Sequence, residues 1–315
     1  MKTTKTAIMQ ESENNKTVRN AITKLSESKS YTLGYMPLHG RTMPSVHVLA
    51  DLVEKFREVL FPGYFGNASL NPDNLPYHIG VNVDMAYHML CDQIFKGICF
   101  TCSRDKKFDA DAADRQSREM AAQLIDCLPD IRRILATDVK AAYNGDPAAK
   151  SEGEVIFSYP TIRTMTNHRI AHELYKRDVP LIPRIISEMA HFETGIDIHP
   201  GASIDEYFAI DHGTGVVIGE TAVIGKNVKI YQGVTLGARS FPLDENGNPI
   251  KGIARHPIVQ DDVIIYSNAT ILGRITIGKG AVIGGNLWVN RDVPPGSRLI
   301  QQRPSTQYYS NGTGV

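Results

Sequence analysis

From Ile198 to Val289 an aliphatic residue returns every sixth position. The row reads Ile198, Ile204, Ile210, then Ile218, Ile224, Ile230 and Leu236, and after an insertion Val259, Ile265, Ile271, Ile277, Ile283 and Val289. Four places after most of these stands a second small or apolar residue, among them Ala202, Ala222, Val228, Val234, Val263, Ala269 and Ala281. No amphipathic helix keeps this spacing, because six residues advance it by about 600° and the stripe drifts around its surface. The period is that of a parallel β-helix, whose coils have three flat sides of six residues and stack at about 4.8 Å, each burying its neighbour's aliphatic row. Upstream, "SVHVLADLVEKFREVLF", "DMAYHMLCDQIFKGICF", "DRQSREMAAQLIDCLPDIRRILATDVKAAY" and "PTIRTMTNHRIAHELYKR" carry apolar residues at helical spacing with Pro and Gly at the breaks. The predicted fold class is therefore α+β, an N-terminal α-helical domain over 45–195 followed by a β-helix over 196–303. Residues 1–44 read as a polar arm, loose or only locally helical, and 304–315 as a tail without period.

Two features break the six-residue rhythm. Between Leu236 and Val259 the stretch "GARSFPLDENGNPIKGIARHPI" holds Pro, Asp, Asn and Gly that cannot fill inward positions, so it leaves the prism as a loop with "ENGN" at its tip. Between Ile210 and Ile218 the step is eight, with Asp211 and His212 inside the slip. Extra residues push side chains out of a regular lattice, and such bulges stand beside active sites as well as on idle surfaces. The cluster "ARHP" at the return of the loop, and Asp197 one coil earlier, make a functional reading of Asp211 and His212 worth following.

Composition narrows the classes. Lys plus Arg and Asp plus Glu number 34 each, so no net field draws the chain to nucleic acid or an anionic membrane, and an anionic ligand must meet local charge. The start, "MKTTKTAIMQESENNKT", has no signal-like apolar core, and no 18 uncharged apolar residues run together; the expected location is the cytoplasm. Four cysteines are too few for a disulfide scaffold, and "CFTC" reads as packing, with redox or metal work as its alternative. His168 and His172 in "HRIAH" share a helical face, but Arg169 follows the first His where a zinc protease has Glu, which favours packing. No metal is expected.

The motifs "DIHP", "IDHGTGVVIGETAVIG", "GVTLGA" and "RHP", in this order and spacing, closely resemble the serine O-acetyltransferase family. The resemblance covers about residues 130–300, reaching back into "DVKAAYNGDPA" and "HRIAHEL". It departs in a longer N-terminal arm, a longer loop before Arg255, and "QQRPS" where the family has "GVPA". It implies a left-handed β-helix and transfer of acetyl from acetyl-CoA directly to the hydroxyl of L-serine. His212 would be the general base and Asp197 the residue that orients it. Arg255 and His256 would take the serine carboxylate, Asp138 and Asp211 its ammonium, and Glu220 would support them. Acetyl-CoA would lie in a groove between coils near Gly237, Ala238 and Ser267. The resemblance further implies a homotrimer or a dimer of trimers. It also implies a tail that docks on O-acetylserine sulfhydrylase, although family tails commonly end in isoleucine and this one ends in Val315.

Three other readings stay open on the residues alone. A hexapeptide acyltransferase acting on a sugar or sugar nucleotide would also use a general-base His but leaves Arg255, His256 and Asp138 without work. A γ-type carbonic anhydrase shares the fold and would set zinc on three His, for which His199, His212 and His256 are available, but no H-x₄-H pair exists. A silent scaffold would hold Asp197, His212 and Arg255 far apart.

Overall fold

The computed structural model describes residues 2–31, 43–66, 69–101, 108–240 and 242–302. Eight helices precede fourteen short strands among these residues. The polar arm takes the helical option, with α1 (Lys2–Ser26) and α2 (Ser28–Tyr31). A helical body follows: α3 (Val46–Leu60), α4 (Leu75–Thr101), α5 (Ala110–Gly145), α6 (Glu152–Ser158), α7 (Pro160–Lys176) and α8 (Ile182–Thr194). Side-chain caps start several of them: Ser45 Oγ accepts from Val48 N, Asp109 from Ala112 N and Ser151 Oγ from Glu154 N. Gly195, left-handed at φ 71°, ends α8 and turns the chain into the first strand. Cys102 and the tail from Ser305 to Val315 lie outside the described residues.

The strands wind into a parallel solenoid with three sheets. Face 1 is β1 (Asp197–Ile198), β4 (Val217–Ile218), β7 (Thr235–Gly237), β10 (Thr270–Leu272) and β13 (Trp288–Val289). Face 2 is β2 (Ser203–Ile204), β5 (Val223–Ile224), β8 (Ile258–Val259) and β11 (Thr276–Ile277). Face 3 is β3 (Ala209–Asp211), β6 (Lys229–Tyr231), β9 (Ile264–Ile265), β12 (Val282–Ile283) and β14 (Arg298–Leu299). Pairing keeps the aliphatic register: Ile198, Ile218, Leu236, Ile271 and Val289 stack in one column. All thirteen predicted inward positions are buried. Each contributes about 1.5–3 kcal/mol by burial, so the sixfold rhythm is the main energetic source of the solenoid.

The helix α5 joins body to solenoid. Its 36 residues span about 54 Å, and its last turns lie against β3. Thr137 Oγ1 accepts from Tyr207 N at 2.9 Å, Asp138 Oδ1 from Phe208 N at 3.0 Å, and Arg133 pairs with Glu206 at 3.1 Å. Because these contacts fix the helix to the first coil, the chain that leaves it at Gly145 and Asp146 is delivered beside Asp211.

Candidate active site

Two polar clusters occupy two different edges of the prism. The first lies where face 3 turns into face 1. There the eight-residue step is absorbed by three residues in the left-handed region, His212 (φ 58°), Gly213 (φ 92°) and Gly215 (φ 78°). Gly213 N donates to Asp211 O at 2.7 Å and closes a tight turn around His212. A Cβ on Gly213 would meet Ile196 at 2.4 Å, so only glycine allows the turn to rest on the coil below. The consequence is an imidazole held clear of the lattice, with 76% of its side chain exposed.

Asp211 faces it at 3.6 Å and is itself paired with Lys229 at 3.0 Å. Lys229 also donates to Gly145 O at 2.6 Å, and its ammonium lies 4.6 Å from the centre of the Tyr231 ring. One residue beyond Gly145, Asp146 accepts from Tyr159 Oη at 2.5 Å. Its carboxyl is held below the usual range, first by that hydrogen bond, then by the Ala148 N–H, with Lys229 and His212 adding positive charge nearby. The sequence reading missed Asp146; its signal was a carboxylate just past the end of the predicted helix, in "YNGDPA".

Asp138, expected beside Asp211, is a correction. It is 1% exposed and locked in the interior by Arg169, whose Nη2 lies 3.1 Å away. Burial pushes its carboxyl up to about 6, with Arg169 pulling the other way. Arg169 also donates to Asp205 O at 2.8 Å, so the pair pins α5 and α7 to the solenoid. It sits seven residues short of the helix end; Asp146 is the carboxylate that reaches the edge.

Asp197 opens β1, one coil below Val217, at the same edge as His212. Among the described residues no hydrogen bond joins the Asp197 carboxylate to the imidazole. Asp197 instead shares a group with Glu188 and His191, their ligand atoms all within 4.8 Å of one another. Among the described residues this is the one trio with the donor types and spacing for a metal ion, and Glu188 and His191 are exposed.

The second cluster lies where face 1 turns into face 2, and it is tightly tied. Thr221 Oγ1 accepts from Arg255 N at 2.9 Å and His256 N at 3.1 Å, so the inserted loop is pinned back to the prism at its return. Thr221 N donates to His256 Nδ1 at 3.0 Å, which assigns the proton of the neutral ring to Nε2. The ring lies against Gly219, where any Cβ would come within 2.1 Å of it. Burial, then the Arg255 charge, lowers the His256 pKa, so it stays neutral. Arg255 Nη2 donates to Glu220 Oε2 at 2.7 Å, and Tyr175 Oη to Glu220 Oε1 at 3.0 Å. Burial would raise Glu220, but these two hydrogen bonds hold it below the ordinary range. His199, edge-on to Tyr175, is lowered to about 4 by burial and then by Arg184.

The cofactor residues divide in the same way. Gly237 ends β7 and leads with Ala238 into the second edge, while Ser267 follows β9 at the first. Gly237 and Ala238 thus stand at a different edge of the prism from Ser267. His168 is buried and stacks on His172 at 5.6 Å, in keeping with packing.

No family model matches the chain. The protein named "Serine acetyltransferase, plasmid" of Synechococcus elongatus is 48% identical over 275 residues, 87% of this chain and 86% of its own. The chain belongs to the serine acetyltransferase family. Serine acetyltransferase of Bacillus licheniformis is 48% identical over 168 residues, 53% of this chain and 74% of its own. Among solved structures, serine acetyltransferase isoform 3 of Entamoeba histolytica in complex with cysteine is 33% identical with a TM-score of 0.69, covering 88% of each chain. The Neisseria gonorrhoeae enzyme in complex with serine is 26% identical with a TM-score of 0.51, covering 84% of this chain and 99% of its own. The helical region followed by a parallel solenoid is thus the architecture of serine acetyltransferases, and the chain is an acyltransferase.

Proposed function

We propose that this chain transfers acetyl from acetyl-CoA to L-serine, giving O-acetyl-L-serine and CoA at the entry to cysteine biosynthesis. The observation that carries the reading is the pairing of an exposed imidazole among carboxylates with a preformed Arg255–His256 anchor. A serine zwitterion needs both: a cation for its carboxylate, and carboxylates for its ammonium. His212 takes the proton of the serine hydroxyl as its oxygen attacks the thioester carbonyl, which contributes roughly 10²–10⁴-fold. The tetrahedral adduct collapses with cleavage of the C–S bond, and the imidazolium returns the proton to the leaving thiolate. Asp197 orients the ring and stabilises its cation when the exposed His212 side chain swings toward β1. Arg255 and His256 bind the carboxylate, and Asp146 with Asp211 takes the ammonium in place of Asp138. Glu220 keeps the Arg255 guanidinium in position.

The two clusters stand on edges separated by the whole of face 1, so one copy cannot close this site. Cyclic association can, because a head-to-tail interface sets one edge of each prism against a different edge of its neighbour. A trimer therefore unites His212 of one copy with Arg255 of the next, and likewise Ser267 with Gly237 and Ala238. A dimer of such trimers through the helical bodies and docking of the tail on O-acetylserine sulfhydrylase belong to the same proposal. No described helix is long and apolar enough to cross a membrane, and we place the reaction in the cytoplasm. The test is an acceptor panel with acetyl-CoA, following thiol release. L-serine is expected to be the preferred acceptor; preference for a sugar or sugar nucleotide would overturn the assignment.

A further inference from the structure

The "HRIAH" motif takes no part in the acid–base and zwitterion account, yet it packs against the strand that holds one of its members. β1 is the end strand of its sheet, with β4 on one side only. Asp197 N and His199 N are spent on that neighbour, donating to Val216 O and Ile218 O at 2.9 Å each. The opposite edge, which an end strand leaves open, is met by side chains of the helical body at every second residue. Thr194 Oγ1 accepts from Ile196 N at 3.2 Å and is itself bonded to Thr164 Oγ1 at 3.0 Å. Ser187 Oγ donates to Ile198 O. His172 Nδ1 lies 2.8 Å from Pro200 O, and since a carbonyl only accepts, that nitrogen carries the proton.

This grip lies in the interior. Thr164, Ser187 and His168 are buried, and together they line the space against Ile196 and Ile198. His168 stacks on His172 and backs its ring. The Asp197 carboxylate is held by none of this. Among the described residues it accepts no hydrogen bond, and Glu188 and His191 stand close enough to compete for it. A short side chain without partners goes where its backbone points it, and this backbone is bonded along both edges.

Resting on the acyl-transfer reading above, we infer that His172 and Ser187 are positioning residues: by fixing Pro200 O and Ile198 O they set where the Asp197 carboxylate stands, and through it the orientation of His212. The leverage is large, because a misplacement of about 1 Å in a reacting group costs on the order of 10²-fold in rate. A carboxylate in place also favours the imidazolium. When Asp197 is displaced, the base is therefore both misaimed and weaker.

Two replacements of one residue separate positioning from packing: asparagine offers an N–H near the place of the His172 Nδ1, and leucine offers none. In the full-length protein His172→Leu is expected to lower kcat roughly 10- to 100-fold with the KM values for serine and acetyl-CoA little changed. The acid limb of kcat/KM is expected to move to lower pH, because His212 loses the influence of Asp197 while Asp211, Lys229 and Asp146 stay around it. His172→Asn is expected to recover most of kcat. Ser187→Ala, which removes a single hydroxyl, acts in the same direction and carries the comparison if His172→Leu does not assemble. In an Asp197→Asn background both losses are expected to shrink to near nothing, since a group that acts through Asp197 has no carboxylate left to place. Wild-type kcat in His172→Leu and Ser187→Ala, a loss that His172→Asn does not recover, or the same fold-loss with and without Asp197 would overturn the inference and leave the grip as packing. The variants are compared on whichever acceptor the wild type uses. Failure with L-serine therefore strikes the proposed function, and additive losses strike only the positioning role.

Discussion

The two edges that flank face 1 are built on opposite plans. At the first, His212 stands in solvent on a left-handed turn, with Asp211, Lys229 and Asp146 around it. At the second, Arg255, His256, Thr221, Glu220 and Tyr175 are already bonded to one another. A proton carrier must turn between substrate and product, and an unrestrained His212 suits the role proposed for it. A carboxylate anchor works best when its guanidinium is aimed in advance, because less side-chain entropy is lost on binding. The contrast is between an open cluster and a rigid, pre-bonded one, and the proposed function needs both.

Breaking the reactive half should cost most. His212→Ala is expected to lower kcat by roughly 10²-fold or more with CoA affinity nearly unchanged; most of the wild-type kcat remaining would remove His212 from the base role. Breaking the rigid half should act on binding. Arg255→Ala removes a charge-assisted contact worth about 1.5–3 kcal/mol, or roughly 10- to 150-fold in serine KM. Asp146→Asn should raise the same constant by less, since Asp211 shares the ammonium. An unaltered serine KM in Arg255→Ala would send the carboxylate elsewhere.

A smaller effect separates the edges by pH. His199 is lowered to about 4, and His256, His172 and the fully enclosed His168 are also lowered, in each case mainly by burial. A base whose folded pKa lies below its unfolded value of about 6.5 is protonated first in the unfolded chain, so stability is lost as pH falls below that value. Asp138, raised to about 6, works in the opposite sense below pH 6 and offsets part of the loss. The urea midpoint is expected to fall between pH 7.5 and 5; a flat profile would show that these rings are not held neutral by the fold.

The solenoid was legible because its energetic source, one buried aliphatic every six residues, is written in sequence order. The slip at Asp211 and His212 was legible for the same reason, as a fault in a periodic signal. Asp138 was misread because a carboxylate in a family-like stretch says nothing about which side of α5 it faces; the Arg169 partner lies 31 residues away and the helix turns it inward. Asp146 and Lys229 were missed because their meeting depends on where a 36-residue helix happens to end against the first coil. The separation of the two clusters was likewise invisible, since coil position is readable from the repeat but the edge that a loop returns to is set by Thr221.

The central claim, one site made from two copies, is tested by mixing two dead enzymes. His212→Ala and Arg255→Ala proteins, each inactive at low serine, are unfolded together, refolded as mixed assemblies and assayed beside unmixed controls. Over all trimers assembled at random from equal amounts of the two variants, about one site in four joins an intact His212 from one copy to an intact Arg255 from the next, so activity near a quarter of wild type is expected. Mixed assemblies verified by mass that stay as inactive as their parents would contradict the account and place the whole site within a single chain.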